Sequence, residues 1–83
     1  KKKYPMEDFY KILEEIRPDI DFKQETQLVD DGLLDSFDIV SIVSDLNDHF
    51  DIAIRVNELS PENFNSADAI YKMCLKLQEK NNA

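Results

Sequence analysis

"GLLDSFDIVSIVSDLNDHFD" (residues 32–51) contains the chain's only glycine, Gly32, and then Asp35, Ser36, Phe37 and Asp38 at the opening of an apolar, periodic run. With Asp35 as the N-cap, Leu34 precedes the cap and Ile39 is the fourth helical position, which is the arrangement of a hydrophobic staple. Asp38, at the third position, can answer the cap as a short-armed capping box. Local chemistry therefore predicts a helix that begins at Ser36 and runs to about Phe50. On a wheel of roughly 100° per residue, Ile39, Val43, Leu46 and Phe50 cluster within about 60°, with Ile42 at their margin, and this cluster is expected to face the core. Phe37 and Val40 fall on the adjoining side, among Ser41, Ser44, Asn47 and Asp48. Either Phe37 packs on the preceding loop and Val40 is the edge of the core stripe, or the two form a small apolar docking strip with an acidic rim, suited to a basic partner with an apolar pocket.

Working outward, "PMEDFYKILEEIRP" places Met6, Phe9, Leu13 and Ile16 at helical spacing, with Glu7 and Asp8 in the first turn and Pro18 forbidding continuation. This predicts a helix over residues 5–17. Periodicity then lapses until Leu34, although Ile20, Phe22, Leu28, Val29, Leu33 and Leu34 are apolar enough to pin a long loop over the core; a connection of that length points to a constrained or functional segment. After the central helix, "DIAIRV" alternates and is expected to be extended. "SPENF" follows with Ser60 as cap and Pro61 at the first helical position, giving one short turn. A last helix over residues 66–80 buries Ala67, Ile70, Met73, Cys74 and Leu77. Three longer helices, one short one and a long first loop make an all-α, small four-helix bundle: a single domain over residues 1–83, with frayed ends at 1–4 and 81–83.

Composition narrows the function classes. The 83 residues can bury only about 60–65% of the surface of the unfolded chain, which leaves room for one core and none for a deep catalytic cleft. With 18 acidic and 10 basic residues the formal charge is −8, so nucleic acid and anionic membranes are repelled and a basic protein is the natural counterpart. A lone cysteine, Cys74, excludes an intrachain disulfide, and the absence of a long apolar run argues against membrane insertion and a signal peptide. A cytoplasmic monomer is expected. Lys1, Lys2 and Lys3 form too short a basic run for a targeting or nucleic-acid patch and are expected to be a solvated end.

Catalysis finds no footing. The only histidine, His49, lies more than three helical turns from Ser36, roughly 20 Å along a continuous helix, which is too far to act as its base. His49 suits the negative end of the helix dipole instead. Aligning Gly32 with the glycine of a calcium loop puts Gln27 and Val29 at the first and third ligand positions, so that signature fails and no resident metal is expected. Cys74 sits on a buried stripe as a core thiol. What the position of Ser36 does suit is modification: a phosphate ester in the first turn of a helix meets free amide hydrogens and the positive dipole end, while Asp35 can help hold a magnesium ion.

At "GLLDSFDIVSIVSDLNDHFDIAIRV" the chain resembles an acyl carrier protein, and the likeness covers nearly its whole length: Asp35-Ser36-Phe37 stands for the family's Asp-Ser-Leu-like triplet, and Phe50-Asp51 closes the apolar and acidic segment. The resemblance implies that a separate phosphopantetheinyl transferase esterifies 4′-phosphopantetheine, taken from coenzyme A, to Ser36, and that an acyl group then rides on the arm's thiol as a thioester. The protein would be a substrate and not an enzyme. By position, Asp35 would assist magnesium during the transfer, and Phe37, Asp38, Val40, Ser44 and Asp48 would face partners: the transferase, an acyl- or D-alanyl-loading ligase, and downstream acyl-transfer enzymes with basic docking patches. The main expectation is a carrier for fatty-acid or related acyl-thioester (lipid) biosynthesis. "GLLDSF" with "FNSADAI" also resembles the D-alanyl carrier proteins of teichoic acid modification, and fatty-acid carriers tend to have acids where this chain has Ser41 and Asn47. A third alternative is an unmodified acidic interaction module in which Ser36 only caps its helix.

Overall fold

The structure is a computed structural model, and it describes residues 6–81. Its elements are α1 (Met6–Ile16), α2 (Ser36–Phe50), a 3-10 turn (Val56–Glu58), α3 (Pro61–Phe64) and α4 (Ala67–Asn81). No strand occurs among the described residues, and the four helices form the small bundle expected from the sequence. Pro5 and residues 1–4 lie outside the described residues, as do 82 and 83; Asn81, expected at a frayed end, still belongs to α4.

Helix α1 ends where Pro18 requires it to end. The Arg17 amide still donates to Leu13 O at 3.0 Å, and Pro18 has no amide hydrogen with which to continue the ladder. Phe9 and Leu13 are fully buried, Ile16 is half-buried and Met6 is exposed. Phe9 sits at the centre of an aromatic cluster, edge-on to Phe50 at 6.3 Å and to Tyr71 at 5.1 Å between ring centres. That cluster joins α1, α2 and α4. The long loop is pinned as its apolar residues suggest: Ile20, Phe22, Leu28 and Leu34 are buried, and Val29 and Leu33 pack against the core.

On α2 the wheel needs correcting. Ile42, expected at the margin, is at the centre of the buried stripe with Leu46 and Phe50, whereas Ile39 and Val43 are only half-buried. The reason is tertiary: α2 packs most extensively on α1, while Ile39 and Val43 border an open groove edged by Leu59. The helix closes on Asp51 in the left-handed conformation (φ 55°), its amide donating to Asn47 O. Asn47, expected on the outward face, instead turns its side chain to the departing strand-like segment, where Oδ1 accepts the Ile54 amide at 2.8 Å. That segment forms no strand, yet its burial alternates as "DIAIRV" predicts: Ile52 and Ile54 in, Ala53 and Arg55 out.

Ser60 precedes α3 but its side chain makes no capping bond; its backbone carbonyl accepts the Asn63 amide at 3.0 Å. Ser66, expected as the first residue of the last helix, instead precedes α4 and caps it, its Oγ accepting the Ala69 amide at 3.1 Å. Ala67, Ile70, Met73 and Cys74 are buried and Leu77 is half-buried. Burial pushes the Cys74 thiol up to about 12, so it stays protonated and unreactive at neutral pH.

Candidate functional site

The site is the turn that delivers Ser36 to the start of α2, and three sets of bonds build it. First, the chain folds back on Leu28: the amides of Leu33 and Leu34 both donate to Leu28 O, at 2.9 and 3.0 Å, and the Gly32 amide donates to Val29 O at 3.0 Å. Gly32 takes φ +73°, a left-handed conformation that costs other residues about 1 kcal/mol, and a Cβ there would meet nothing within 4 Å. The requirement is therefore one of backbone conformation, not of space.

Second, Asn65, between α3 and α4, grips the loop from the far side. Its backbone carbonyl accepts the Leu28 amide at 2.8 Å, Oδ1 accepts the amides of Val29 and Asp30 at 3.0 Å each, and Nδ2 donates to Asp30 Oδ2 at 3.1 Å. Third, the capping box forms as the sequence predicts: Asp35 Oδ1 accepts the Asp38 amide at 2.8 Å and Asp38 Oδ2 accepts the Asp35 amide at 3.2 Å. Arg17 reaches the same carboxylate. Its guanidinium donates to Asp38 Oδ2, to Leu33 O at 2.8 Å, and through Nε and Nη2 to both oxygens of Asp19. Those hydrogen bonds, chiefly the pair to Asp19, drive the Arg17 pKa further up, and the same contacts hold the Asp19 carboxyl below the usual range. Neither the Arg17 clasp nor the Asn65 grip is visible in the sequence. Both join residues far apart in the chain and leave no periodic or spacing signal.

Because Asp35 does the capping, Ser36 does not. It is the first residue of α2, it is exposed, and its hydroxyl makes no hydrogen bond among the described residues. The amides of Ser36 and Phe37 likewise have no partner there, so the positive end of the α2 dipole is open around the hydroxyl. A phosphate ester at this position meets donors rather than repulsion. Asp35 is exposed and has one oxygen, Oδ2, left over from the box. Among the described residues no group of three or more acidic, histidine or cysteine side chains gathers to hold a metal alone, so Asp35 can supply only part of a magnesium shell. His49 stands in the last turn of the same continuous helix, its ring against Phe50, and cannot reach Ser36.

The outer flank of α2 is exposed. Phe37 is 83% and Val40 66% exposed, so Phe37 does not pack on the preceding loop and Val40 does not edge the core. Ser44 and Asp48 are exposed beside them. Asp38 differs from these: its side chain is 13% exposed and committed to the capping box and to Arg17, because a carboxylate beside amide donors and a guanidinium has better partners than water. Sequence reasoning does not single out Leu59, 42% exposed, or Val56, 84% exposed. Leu59 closes an open, mainly apolar groove of about 300 Å³ with Ile39, Val40, Val43, Ser44 and Asn47. The exposure of Val56 and Leu59 depends on where the 3-10 turn lies, which "DIAIRV" does not encode.

No family model matches the chain. Among curated proteins it is 32% identical over 69 residues to the D-alanyl carrier protein of Streptococcus mutans serotype c, an alignment covering 82% of this chain and 87% of that protein. That extent of identity agrees with the Asp-Ser turn, the acidic four-helix bundle and the outward apolar flank: the chain belongs to the acyl carrier protein family, in the broad sense that includes the D-alanyl carriers, and its role is that of a carrier.

Proposed function

We propose that the chain is an aminoacyl carrier of the D-alanyl type, carrying its cargo as a thioester on a 4′-phosphopantetheine arm attached to Ser36. This replaces fatty-acid biosynthesis as the first reading, since the curated relative is a D-alanyl carrier. The observation that carries the attachment site is the division of labour at the turn: Asp35 caps α2, and the Ser36 hydroxyl is exposed and unengaged. A serine that only capped its helix would have its oxygen on an amide.

The arm supplies a flexible tether and a terminal thiol on which an acyl group is held in activated form. The chain's own residues do the rest. Ser36 Oγ presents the nucleophile at the dipole end, Asp35 offers a carboxylate oxygen for magnesium, and Phe37, Val40, Ser44 and Asp48 form the surface that the transferase and the loading ligase recognise. Asp38 belongs to the architecture of the turn and not to that surface.

The test is intact mass after incubation with coenzyme A, magnesium and a broad-specificity phosphopantetheinyl transferase, for wild type and Ser36→Ala. One arm is expected on wild type and none on the variant. Offering the product to a D-alanyl ligase and a fatty-acyl ligase in competition then reads the cargo, with D-alanyl transfer expected to dominate. Buried Cys74 should stay silent to thiol reagents in the folded protein, so the arm provides the one reactive thiol. Folded wild type that gains no mass would defeat Ser36 as the attachment site and favour the interaction-module reading.

A further inference from the structure

We propose that Arg17 is a positioning residue for the modification of Ser36, holding the Asp35 carboxylate in place through the capping box; this rests on Ser36 being the attachment site. The guanidinium is set in its plane by Asp19, whose two oxygens take Nε and Nη2 at 3.0 and 2.8 Å. With that fork fixed, Nη1 is aimed at two acceptors at once, Leu33 O at 2.8 Å and Asp38 Oδ2. Leu33 lies two residues before Asp35 and Asp38 three residues after it, so one cation from the end of α1 holds the chain on both sides of the Asp-Ser pair.

Two consequences reach Asp35. The Asp38 oxygen that Arg17 holds is the one that accepts the Asp35 amide, so fixing that oxygen fixes the cap residue. Arg17 also offsets part of the Asp38 charge, its one positive charge being shared with Asp19. Two carboxylates three residues apart otherwise present a double negative charge to an arriving polyphosphate donor, whereas with Asp38 paired the exposed Asp35 is the carboxylate left to share a magnesium ion with it. Lysine cannot copy this, since a single ammonium lacks the fork that bonds Asp19 and Nη1's two acceptors together.

The experiment uses the full chain as wild type, Arg17→Gln and Arg17→Lys, at a temperature where circular dichroism shows each folded. Three readouts are taken: amide hydrogen exchange at Asp35 and Asp38, the magnesium concentration giving half-maximal modification, and kcat/KM of the transferase for the chain. Arg17→Gln is expected to exchange faster at Asp35, to need severalfold more magnesium and to lose about tenfold in kcat/KM. Arg17→Lys, which keeps the charge, is expected to fall between and serves as the deciding variant if Arg17→Gln does not fold. The loss in Arg17→Gln should not add to that of Asp38→Asn, because both act through one contact. Folded variants with faster exchange at Asp35 but an unchanged magnesium requirement and unchanged kcat/KM would overturn the proposal and leave Arg17 as a tie between α1 and the loop. Wild type that accepts no arm would instead defeat the attachment site itself.

Discussion

Ile42, Leu46 and Phe50 on one side of α2 are buried to 1% exposure or less, while Phe37 and Val40, on the same helix and equally apolar, leave 83% and 66% of their surface in water. Chemistry of the side chain does not separate the two sets; the neighbours do. The buried set has α1 against it, whereas Val40 borders the open groove edged by Leu59 and Phe37 stands in solvent. Burying a large apolar side chain is worth about 1.5–3 kcal/mol, so the inner face contributes stability and the outer one leaves that energy for a partner to recover. The sharpest way to break the comparison is Leu46→Ala. It should cost about 2–5 kcal/mol in urea unfolding, a large share of the roughly 4–12 kcal/mol expected for a domain of this size. An unfolding midpoint within error of wild type would mean that the buried face is not the one holding α2.

Phe37→Ala is the converse experiment. Stability should move by less than about 0.5 kcal/mol, because an exposed side chain has little burial to lose. Affinity for the transferase or the loading ligase, measured by calorimetry, should fall about tenfold or more, as for an aromatic anchor at an interface. Raising salt should weaken the same complex through Asp48 on the rim, and only weakly through Asp38, whose side chain is 13% exposed and bonded to Arg17. A destabilised Phe37→Ala protein, or one that binds as wild type does, would erase the distinction between the faces.

How much of this can be read from the chain follows from the range of each interaction. The start of α2 is legible to the residue because Asp35, Asp38, Leu34 and Ile39 are local to one another and the two reciprocal bonds of the capping box join Asp35 and Asp38 alone, with Arg17 added from across the fold. The exposure of Phe37 and Val40 is legible as one of two alternatives, since periodicity shows which residues share a side but not what stands opposite. The same gap puts Ile42 at the margin: a wheel has no origin until the neighbouring elements supply one, and Ile42 lies in the core cluster that also holds Phe9 and Leu13 of α1. Arg17 with Asp38 and Asn65 with the Asp30 turn are invisible because they are pairings across the fold between residues 21 and 35 positions apart. Asn47 points outward by its angle, but a side-chain amide near a helix end can serve the chain that leaves it, as its bond to Ile54 shows.

The smallest expected effect sharpens the comparison by pH. The buried face of α2 carries no titrating side chain, so the Leu46→Ala deficit itself should change little between pH 7 and about 3. The clasp above it behaves differently. Bonds to Arg17, foremost among the causes, hold the Asp19 carboxyl below its usual range. A carboxyl whose folded pKa is lowered adds stability that is fully present above the unfolded value, about 4, and is lost as pH falls through the lowered folded value. Arg17, pushed up and charged throughout, does not titrate in this window. The difference in urea midpoint between wild type and Asp19→Asn should therefore be small and constant from pH 7 to about 5, then shrink toward zero in acid. Added salt should shrink it too, since the Asp19 side chain is 64% exposed and screened. A difference that grew on acidification would mean that the carboxyl is easier to protonate folded than unfolded, and the clasp would then not be holding Asp19 as an anion.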